Sequence, residues 1–339
     1  MKHGANIYKY AKKLDCDPND IIDFSSNINS YNPNIDIQLR SNTIVKYADS
    51  NYTVLKKFIA EKHQIKKNQI ALYNGATSAI FELFKNLKQK RVYLYAPLYG
   101  EYEKASSHVG KRIIKINRFK NLYEKPTKDS IVVFVNPSTP DGKHYNLKKL
   151  LALWKKQNCT VVLDESFLEF EELKSFREHI NSHKKLYIIQ SFSKFNACAG
   201  VRIGAIFSNS KNIKKLKMPL WNLSSFDAQF LTLRLQDKAF ERESKKLHKE
   251  YKTELFDILT NSQLFSKIYK SDSNFFLTES QKADKIFEYL LKHKILVRTC
   301  GSFDFLSDNY LRFAVKDTNA HNLLETALKE LNPNYAVGN

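Results

Sequence analysis

The segment between residues 191 and 202 places a lysine among groups that suit a phosphorylated cofactor. Lys194 comes directly after an apolar run and the hydroxyls of Ser191 and Ser193, and Arg202 follows eight positions later. A lysine held rigidly beside a carbonyl group can form a Schiff base with it once the amine gives up its proton. Hydroxyl groups and a guanidinium are natural ligands of phosphate. A surface loop could carry the same residues, so the segment alone leaves both interpretations open.

A carboxylate stands at the end of another apolar run, where Val161, Val162 and Leu163 are followed by Asp164. Ligands of open α/β sheets bind at the carboxyl ends of the strands. An aspartate there can hold the protonated ring nitrogen that a pyridinium cofactor needs as an electron sink. The alternative is that Asp164 caps the turn after the strand.

The residues Asn74, Gly75, Ala76 and Thr77 open a predicted helix directly after a predicted strand. Glycine allows close approach of the backbone, and the amides of a first helical turn form a cup for phosphate together with the Thr77 hydroxyl. Simple helix capping by Thr77 explains the pattern equally well. The chain has no G-x-G-x-x-G after a strand and no P-loop lysine motif, which argues against dinucleotide and nucleoside triphosphate sites.

The elements that must position these residues alternate between strand and helix from residue 71 to residue 207. Several apolar runs are continuous, as in strands that are covered on both faces. This order predicts a mainly parallel sheet with helices on both faces, whose last strand could be an antiparallel edge. The predicted strands are Arg91–Tyr95, Arg112–Ile116, Ile131–Val135, Thr160–Leu163, Leu186–Ile189 and Ile203–Phe207. The predicted helices are Thr77–Leu87, Gly100–Val109 and Leu147–Gln157.

After residue 219 the pattern changes. The charged stretch Phe226–Leu259 has helical period and is too long for an ordinary core helix, so it predicts a spine between two domains. Beyond it the pattern predicts a small α+β domain. Its predicted strands are Asn274–Leu277, Ile295–Arg298 and Tyr310–Val315, and its predicted helices are Lys282–Lys292 and Ala320–Leu331.

Composition limits the class of protein. The 339 residues suffice for about two domains, and a hydrophobic content of 42% argues against disorder. The net charge is +20, but the lysines alternate with apolar residues at helical spacing, which favours solvated helix faces over a nucleic-acid groove. No run approaches the roughly 20 apolar residues of a membrane span. With four widely spaced cysteines and no apolar leader, we expect a cytoplasmic protein with reduced thiols that binds neither nucleic acid nor membrane.

Four motifs occur in the order of a known family: Asn74-Gly75-Ala76-Thr77, Asn136-Pro137-Ser138-Thr139-Pro140-Asp141-Gly142, Asp164-Glu165-Ser166-Phe167 and Ser191-Phe192-Ser193-Lys194. Together they resemble the fold-type I enzymes that depend on pyridoxal 5′-phosphate (PLP), in the aminotransferase class I/II superfamily. The resemblance implies an α/β large domain with a mainly parallel seven-stranded sheet between helices, and a small α+β domain from the C-terminus and an N-terminal arm. The implied bounds are 1–40 for the arm packing with the small domain, 41–225 for the PLP-binding domain, 226–260 for an interdomain helix and 261–339 for the small domain.

The resemblance also implies the cofactor contacts. Lys194 would form the Schiff base with PLP, and Asp164 would pair with the pyridinium nitrogen. Tyr102 would stack on the ring, with Tyr99 as the second choice, and Thr139 would donate to the ring hydroxyl. The phosphate would be held by Gly75, Ala76, Thr77, Ser191, Ser193 and Arg202. Tyr52 matches a tyrosine that in the family reaches the neighbouring subunit's cofactor, which implies a homodimer with shared active sites.

Two arginines are the candidates for binding the substrate. Arg298 and Arg312 each lie in an apolar predicted strand, where an unpaired charge is unfavourable, so a partner is expected. A guanidinium is a natural clamp for a carboxylate or a phosphate, although a structural ion pair would explain either residue. By resemblance to the family, His3, Asn6 and Asn27 would contact the substrate's phosphate.

Two branches of the superfamily fit the chain. The opening residues 3–6, the segment 23–29, residues 164–170 and Phe195 resemble the L-threonine-O-3-phosphate decarboxylases. The histidinol-phosphate aminotransferases share the fold and a phosphorylated substrate. We therefore expect a decarboxylase of threonine phosphate or serine phosphate, with an aminotransferase that uses glutamate as amino donor as the alternative.

Three residues depart from the patterns of these relatives. Thr139 replaces the asparagine that usually donates to the ring hydroxyl, and Phe167 stands where many aminotransferases carry a tyrosine for the same oxygen. Thr139 can still donate one hydrogen bond, but control of the ring hydroxyl is weakened. Ala199 replaces the proline that decarboxylases usually carry before Gly200, and nothing in the sequence explains this change.

Overall fold

A computed structural model describes residues 6–35 and 44–332. Two compact units can be distinguished. Among the described residues, the large unit comprises 32–35, 44–137 and 145–242, and the small unit comprises 6–31, 138–144 and 243–332. The predicted boundary at residues 40 and 41 and the predicted site residue His3 lie outside the described residues.

The strands and helices follow the expected alternation. In chain order the strands are Ile22–Asp23 (β1), Ile70–Asn74 (β2), Arg91–Ala96 (β3), Arg112–Asn117 (β4), Ile131–Val135 (β5), Thr160–Asp164 (β6), Leu186–Ser191 (β7), Ile203–Phe207 (β8), Lys267–Ile268 (β9), Phe275–Glu279 (β10), Ile295–Leu296 (β11), Arg298–Thr299 (β12) and Tyr310–Ala314 (β13). The α-helices are Ile7–Leu14 (α1), Thr53–His63 (α2), Gly75–Asn86 (α3), Glu101–His108 (α4), Lys148–Lys156 (α5), Ser210–Ile213 (α6), Ser225–Gln236 (α7), Lys238–Asn261 (α8), Ala283–Lys292 (α9) and Thr318–Leu331 (α10).

The large unit is built on a seven-stranded sheet in the order β2-β8-β7-β6-β5-β3-β4. The strands from β7 to β4 in this order pair in parallel, whereas β8 is antiparallel to both β7 and β2. Alternate residues of β5 belong to two separate hydrophobic clusters, with Val132 and Phe134 in one and Ile131 and Val133 in the other. Both faces of the sheet are therefore buried, which explains the continuous apolar runs.

The prediction of β8 as an edge strand is wrong. It is antiparallel, but it lies between β7 and β2, and β2 forms the edge. Because β2 is antiparallel to β8, it points the same way as β6 and β7. The ends of these three strands, at Asn74, Asp164 and Ser191, therefore lie at one edge of the sheet.

The predicted single helix over residues 226–260 is also wrong, because the chain forms two helices, α7 and α8. Asp237 stands between them, and its side chain accepts a hydrogen bond from Phe240 N at 2.8 Å, which begins a new helix. The boundary between the two units falls within α8.

The small unit contains the antiparallel sheet β12-β13-β10-β9 and the parallel pair of β1 with β11. Residues 138–144 belong to this unit, although we predicted them in the large domain. Two hydrogen bonds connect residues 138–144 to Asp272 of the small unit. Asp272 N donates to Gly142 O at 2.8 Å, and His144 N donates to Asp272 Oδ2 at 2.8 Å. In the described part of the chain, no helix is both long enough and apolar enough to cross a membrane.

Candidate active site

The carboxylate of Asp164 is the buried centre of the site in the large unit. It ends β6, where Tyr102 Oη donates to its Oδ2 at 2.7 Å and Ser166 N donates to its Oδ1 at 2.9 Å. Burial raises the pKa of Asp164, while the hydrogen bonds from Ser166 and Tyr102 and the charge of Lys194 oppose that rise. Such a carboxylate gains most from a cationic partner that is buried with it.

Lys194 lies in the loop between β7 and β8, which spans residues 192–202. Cys198 N donates to Ser193 O at 3.1 Å, and the Asn196 side chain donates to Phe192 O at 3.0 Å. The lysine side chain is half-buried, and its charge acts directly on the ionisation of Asp164. The structure therefore brings together the amine and the carboxylate that the sequence predicted as partners.

A set of potential phosphate ligands, which we call the phosphate cradle, lies at the same edge of the sheet. Gly75 has a φ of +77°, its N donates to Arg202 O at 3.0 Å, and a Cβ on this glycine would come within 2.7 Å of the Arg202 guanidinium. Ser193 Oγ is buried and has no hydrogen-bond partner among the described residues. Backbone amides at the start of α3, a guanidinium and a spare buried hydroxyl are the donor set that a phosphate group requires. The residues present thus fit the phosphate of PLP.

The other residues predicted to bind the cofactor's phosphate lie beside this cradle. Thr77 Oγ1 is 3.3 Å from Tyr99 Oη, and Ser191 N donates to Ser166 Oγ at 3.0 Å, which joins the ends of β6 and β7. Ala76 follows Gly75 in the first turn of α3. Ser166 was overlooked as a site residue, although it stands inside the motif quoted for Asp164.

Replacing Gly75 with alanine tests the cradle, and Gly110 provides a matched control. Both glycines have positive φ, but a Cβ on Gly110 would meet nothing within 4 Å. Each alanine is expected to destabilise the fold by about 1–2 kcal/mol in thermal unfolding. Only Gly75→Ala displaces the guanidinium, so it alone should weaken PLP binding by about tenfold or more, measured by titrating the apoprotein. Equal PLP affinity in the two variants would contradict the assignment of this cradle.

The prediction that Tyr102 stacks on the cofactor ring is wrong. Its side chain is fully buried and packs in a hydrophobic cluster under the sheet, so neither face of the ring is open to a ligand. Its hydroxyl instead holds Asp164, and burial followed by the Asp164 charge raises the pKa of Tyr102 well above its usual value, which keeps it a donor. Tyr99 is half-buried, and its hydroxyl is next to Thr77. Tyr99, the second choice from sequence, is therefore the aromatic candidate for the ring.

The structure also gives Tyr52 a different role from the predicted one. Tyr52 is buried, and its hydroxyl donates to Leu223 O at 3.2 Å and accepts from Leu223 N at 2.9 Å. Both hydrogen bonds of this hydroxyl are therefore made within the large unit. The exposed tyrosine of this segment is Tyr47, at 79% exposure, which stacks on Trp221 with ring centroids 4.5 Å apart. The spacing of the tyrosines in the sequence does not distinguish Tyr47 from Tyr52.

Within the small unit, Arg298 and Arg312 lie directly opposite each other across β12 and β13. Both are buried. Like charges in this position repel each other, and burial together with the Arg298 charge lowers the pKa of Arg312 to about 10. No carboxylate in the described ranges forms an ion pair with Arg312, and its Nε has no hydrogen-bond partner there. The pair is therefore suited to bind an anionic ligand.

Arg312 also contacts two other parts of the small unit. Its Nη1 donates to Thr139 Oγ1 at 3.0 Å, and its Nη2 donates to Ser25 O at 3.1 Å. Arg298 Nη2 donates to Ser302 Oγ at 2.9 Å. Thr139, predicted to contact the cofactor, is thus joined to a predicted substrate residue.

The two predicted asparagines differ in their surroundings. Asn27 is buried, and its Oδ1 has no partner within residues 6–35 and 44–332. Asn6 is exposed and caps α1, where its Oδ1 accepts from Lys9 N at 3.2 Å. Capping explains Asn6 without a ligand.

The fold and the lysine, carboxylate and phosphate cradle at the strand ends together define a PLP-dependent enzyme of fold type I. The model of the family described as aminotransferase class I and II matches residues 5–328. The chain belongs to this family, and PLP is its cofactor.

Proteins from both branches, decarboxylases and aminotransferases, are among those similar to this chain. The chain is 31% identical to the adenosylcobalamin biosynthesis bifunctional protein CobDQ of Leptospira interrogans, over 93% of this chain and 39% of that longer protein. It is 25% identical to the threonine-phosphate decarboxylase of Salmonella typhimurium, over 97% of this chain and 96% of that protein. The solved histidinol-phosphate aminotransferase of Clostridium acetobutylicum is similar, with a TM-score of 0.79 and 27% identity over 91% of this chain and 98% of that chain.

Proposed function

We propose that the protein is a PLP-dependent decarboxylase of an O-phosphorylated hydroxy amino acid, threonine phosphate or serine phosphate. The products would be an amino-alcohol phosphate and CO₂. The observation that carries the proposal is the pair of buried, opposed arginines, Arg298 and Arg312. Two cations in one place suit a substrate with two anionic groups, a carboxylate and a phosphate. The similarity to a threonine-phosphate decarboxylase along nearly the full length of both chains supports the same substrate class.

Each residue has a definite task in this reaction. PLP, when bound, withdraws electrons from the substrate's α-carbon, so that a bond to that carbon can break. Asp164 would hold the proton on the ring nitrogen of PLP, and the hydrogen bonds from Tyr102 and Ser166 orient the carboxylate and favour its ionised form. The arginines would orient the substrate for loss of its carboxylate as CO₂, and Lys194 Nζ would be the group that delivers a proton to the α-carbon.

The second candidate is an aminotransferase that acts on a phosphorylated substrate with glutamate as amino donor. The similarity to a solved histidinol-phosphate aminotransferase favours it. The same residues would serve, but Arg312 would hold the carboxylate so that it is retained, and Lys194 would remove the α-proton instead.

A product assay separates the two candidates. The holoenzyme is incubated with O-phospho-L-threonine or O-phospho-L-serine, with and without 2-oxoglutarate, and both CO₂ and glutamate are measured. The decarboxylase releases CO₂ whether or not 2-oxoglutarate is present. Glutamate formation without CO₂ would contradict the proposal and favour the aminotransferase, for which histidinol phosphate is the next substrate to test.

We further propose that the protein is a homodimer and that Tyr47, rather than Tyr52, reaches the partner's site. Large apolar side chains are exposed near Tyr47 in the large unit: Ile44, Val45, Leu220 and Trp221. Exposed apolar side chains in such number are typical of an interface. Sedimentation equilibrium should give twice the mass of one chain. Val45→Asp should shift the protein toward monomer, whereas Leu323→Asp, at an exposed leucine of α10, should not. A monomeric wild-type protein would contradict this proposal.

A further inference from the structure

A second buried carboxylate, Glu165, directly follows Asp164 in the chain. Leu163 of β6 belongs to one of the two hydrophobic clusters that cover the sheet, and Val162 belongs to the other, which also contains Tyr102. Because side chains alternate along a strand, Asp164 faces the side of Tyr102, and Glu165 faces the opposite side. Two carboxylates this close disfavour each other's ionised form.

A buried guanidinium supplies the counter-charge for Glu165. Arg177 Nη1 lies 3.4 Å from Glu165 Oε2, and Arg177 Nη2 donates to Gln190 Oε1 in β7. The guanidinium carbon lies 4.6 Å from the centroid of the Phe207 ring, and Phe207 belongs to the same hydrophobic cluster as Leu163. The ion pair is therefore on the Glu165 side of the sheet, away from the carboxylate that would bind the cofactor.

The other charged groups near this ion pair have partners of their own. Glu169 is the second carboxylate whose charge acts on Arg177, but Lys62 Nζ pairs with Glu169 at 3.3 Å and with Glu241 at 3.5 Å. His63 packs nearby, and burial together with the charges of Arg177 and Lys62 holds its pKa well below its usual value, so its ring is neutral. Arg177 is therefore the cation that compensates the glutamate after β6.

The ionisation of Glu165 is coupled to that of Asp164. Burial raises the pKa of Glu165 and the Asp164 charge raises it further, whereas the Arg177 charge lowers it. Ser175 Oγ, at 2.5 Å, and Phe176 N, at 2.7 Å, also donate to this carboxylate. A buried ion pair adds little stability over apolar residues, but removal of one partner leaves an uncompensated buried charge. Here such a charge would stand next to Asp164.

We propose that Arg177 is a positioning residue of the cofactor site, which neutralises Glu165 and so allows Asp164 to remain ionised for the ring nitrogen of PLP. The inference rests on the role of Asp164 in the proposed function, but it is independent of the choice between decarboxylase and aminotransferase. Glu165 stands inside the motif quoted for Asp164, whereas nothing in the sequence linked Arg177 to the site.

The test measures the affinity of the apoprotein for PLP as a function of pH. Affinity should fall on the acid side as Asp164 takes up a proton, because a neutral carboxyl no longer stabilises the protonated ring nitrogen. The variants are Arg177→Gln, Glu165→Gln, the combination of the two, and Arg177→Lys. Glu178→Gln, at an exposed glutamate next to Arg177, is the control. Thermal unfolding at each pH confirms that each variant is folded.

The two single glutamine variants should move the acid limb in opposite directions, each by about one pH unit or more. Arg177→Gln leaves the negative charge of Glu165 uncompensated, which raises the pKa of Asp164 and moves the limb to higher pH. Glu165→Gln leaves the guanidinium uncompensated, which lowers the pKa of Asp164 and moves the limb to lower pH. The double variant, Arg177→Lys and Glu178→Gln should keep the wild-type limb, because the charge beside Asp164 stays balanced in each.

A purely structural role for Arg177 would not produce shifts of opposite sign. A limb that stays in place in either folded single variant, or limbs that move the same way in both, overturns the proposal. If one single variant does not fold, the direction of the shift in the other decides. Asp164→Asn is titrated alongside as the reference. If it keeps the wild-type affinity and acid limb, the role of Asp164 in the proposed function fails and this inference fails with it. If only Asp164→Asn changes the limb, this inference alone is overturned.

Discussion

Replacing Lys194 with alanine is expected to remove both the visible absorbance of the holoenzyme and its turnover. A Schiff base between a lysine and PLP absorbs at roughly 420 nm, and the substitution removes the amine that the loop between β7 and β8 supplies for it. Loss of the lysine also removes the group that moves the proton at the substrate's α-carbon. General acid–base catalysis contributes about 10²–10⁴-fold on its own, so we expect kcat to fall by at least about 10³-fold.

The control for this prediction is Lys211→Ala, at an exposed lysine of α6 in the same unit. It should leave the absorbance and kcat unchanged. Borohydride reduction of wild-type holoenzyme should fix the cofactor covalently on the peptide that contains Lys194, and the alanine variant should bind PLP only reversibly. A folded Lys194→Ala protein that keeps the absorbance would overturn the Schiff-base assignment and the proposed function with it.

The site residues whose positions could be predicted from the sequence are those fixed by the order of elements along the chain. Lys194 and Asp164 follow adjacent parallel strands, and the carboxyl ends of such strands meet at one edge of the sheet whatever the details of packing. Gly75 and Arg202 also meet, because Gly75 follows β2, Arg202 precedes β8 and these two strands are antiparallel, but the sequence linked them only through the resemblance to the family. Topology alone was sufficient to place Lys194 and Asp164 at one edge of the sheet.

The errors concern choices that depend on tertiary packing. Tyr99 and Tyr102 are three positions apart, on about the same side of the start of α4, and only the packing of the sheet against that helix decides which ring is buried. The choice between Tyr47 and Tyr52 likewise depends on tertiary packing, because the Tyr52 hydroxyl is buried by hydrogen bonding to the backbone of Leu223, 171 residues away in sequence. The break at Asp237 depended on a single capping residue within a strongly helical stretch. No local pattern carries this information.

The hydrogen bond from Tyr102 to Asp164 leads to a prediction about pH. The bond at 2.7 Å stabilises the ionised carboxylate and lowers the pKa of Asp164, which burial raises. Tyr102→Phe removes the donor and keeps the packing, so the pKa of Asp164 must rise further. Because the reaction needs the ionised carboxylate, the acid limb of the kcat/KM profile should move to higher pH. At neutral pH we expect a loss of about 10- to 100-fold, the usual effect of a hydrogen bond to a charged group.

Asp164→Asn gives the larger effect and shows whether Tyr102 acts through the carboxylate. An amide cannot hold a proton on the ring nitrogen, so kcat/KM should fall by about 10³-fold or more, with PLP binding weakened. Adding Tyr102→Phe to Asp164→Asn should then cause little further loss and no shift of the acid limb, since residues that act as a unit are not additive. Tyr99→Phe, which removes a hydroxyl beside Thr77, should leave the acid limb in place. If the losses from Tyr102→Phe and Asp164→Asn simply multiply, Tyr102 does not act as a positioning residue for Asp164, and the carboxylate depends instead on Ser166 and Lys194.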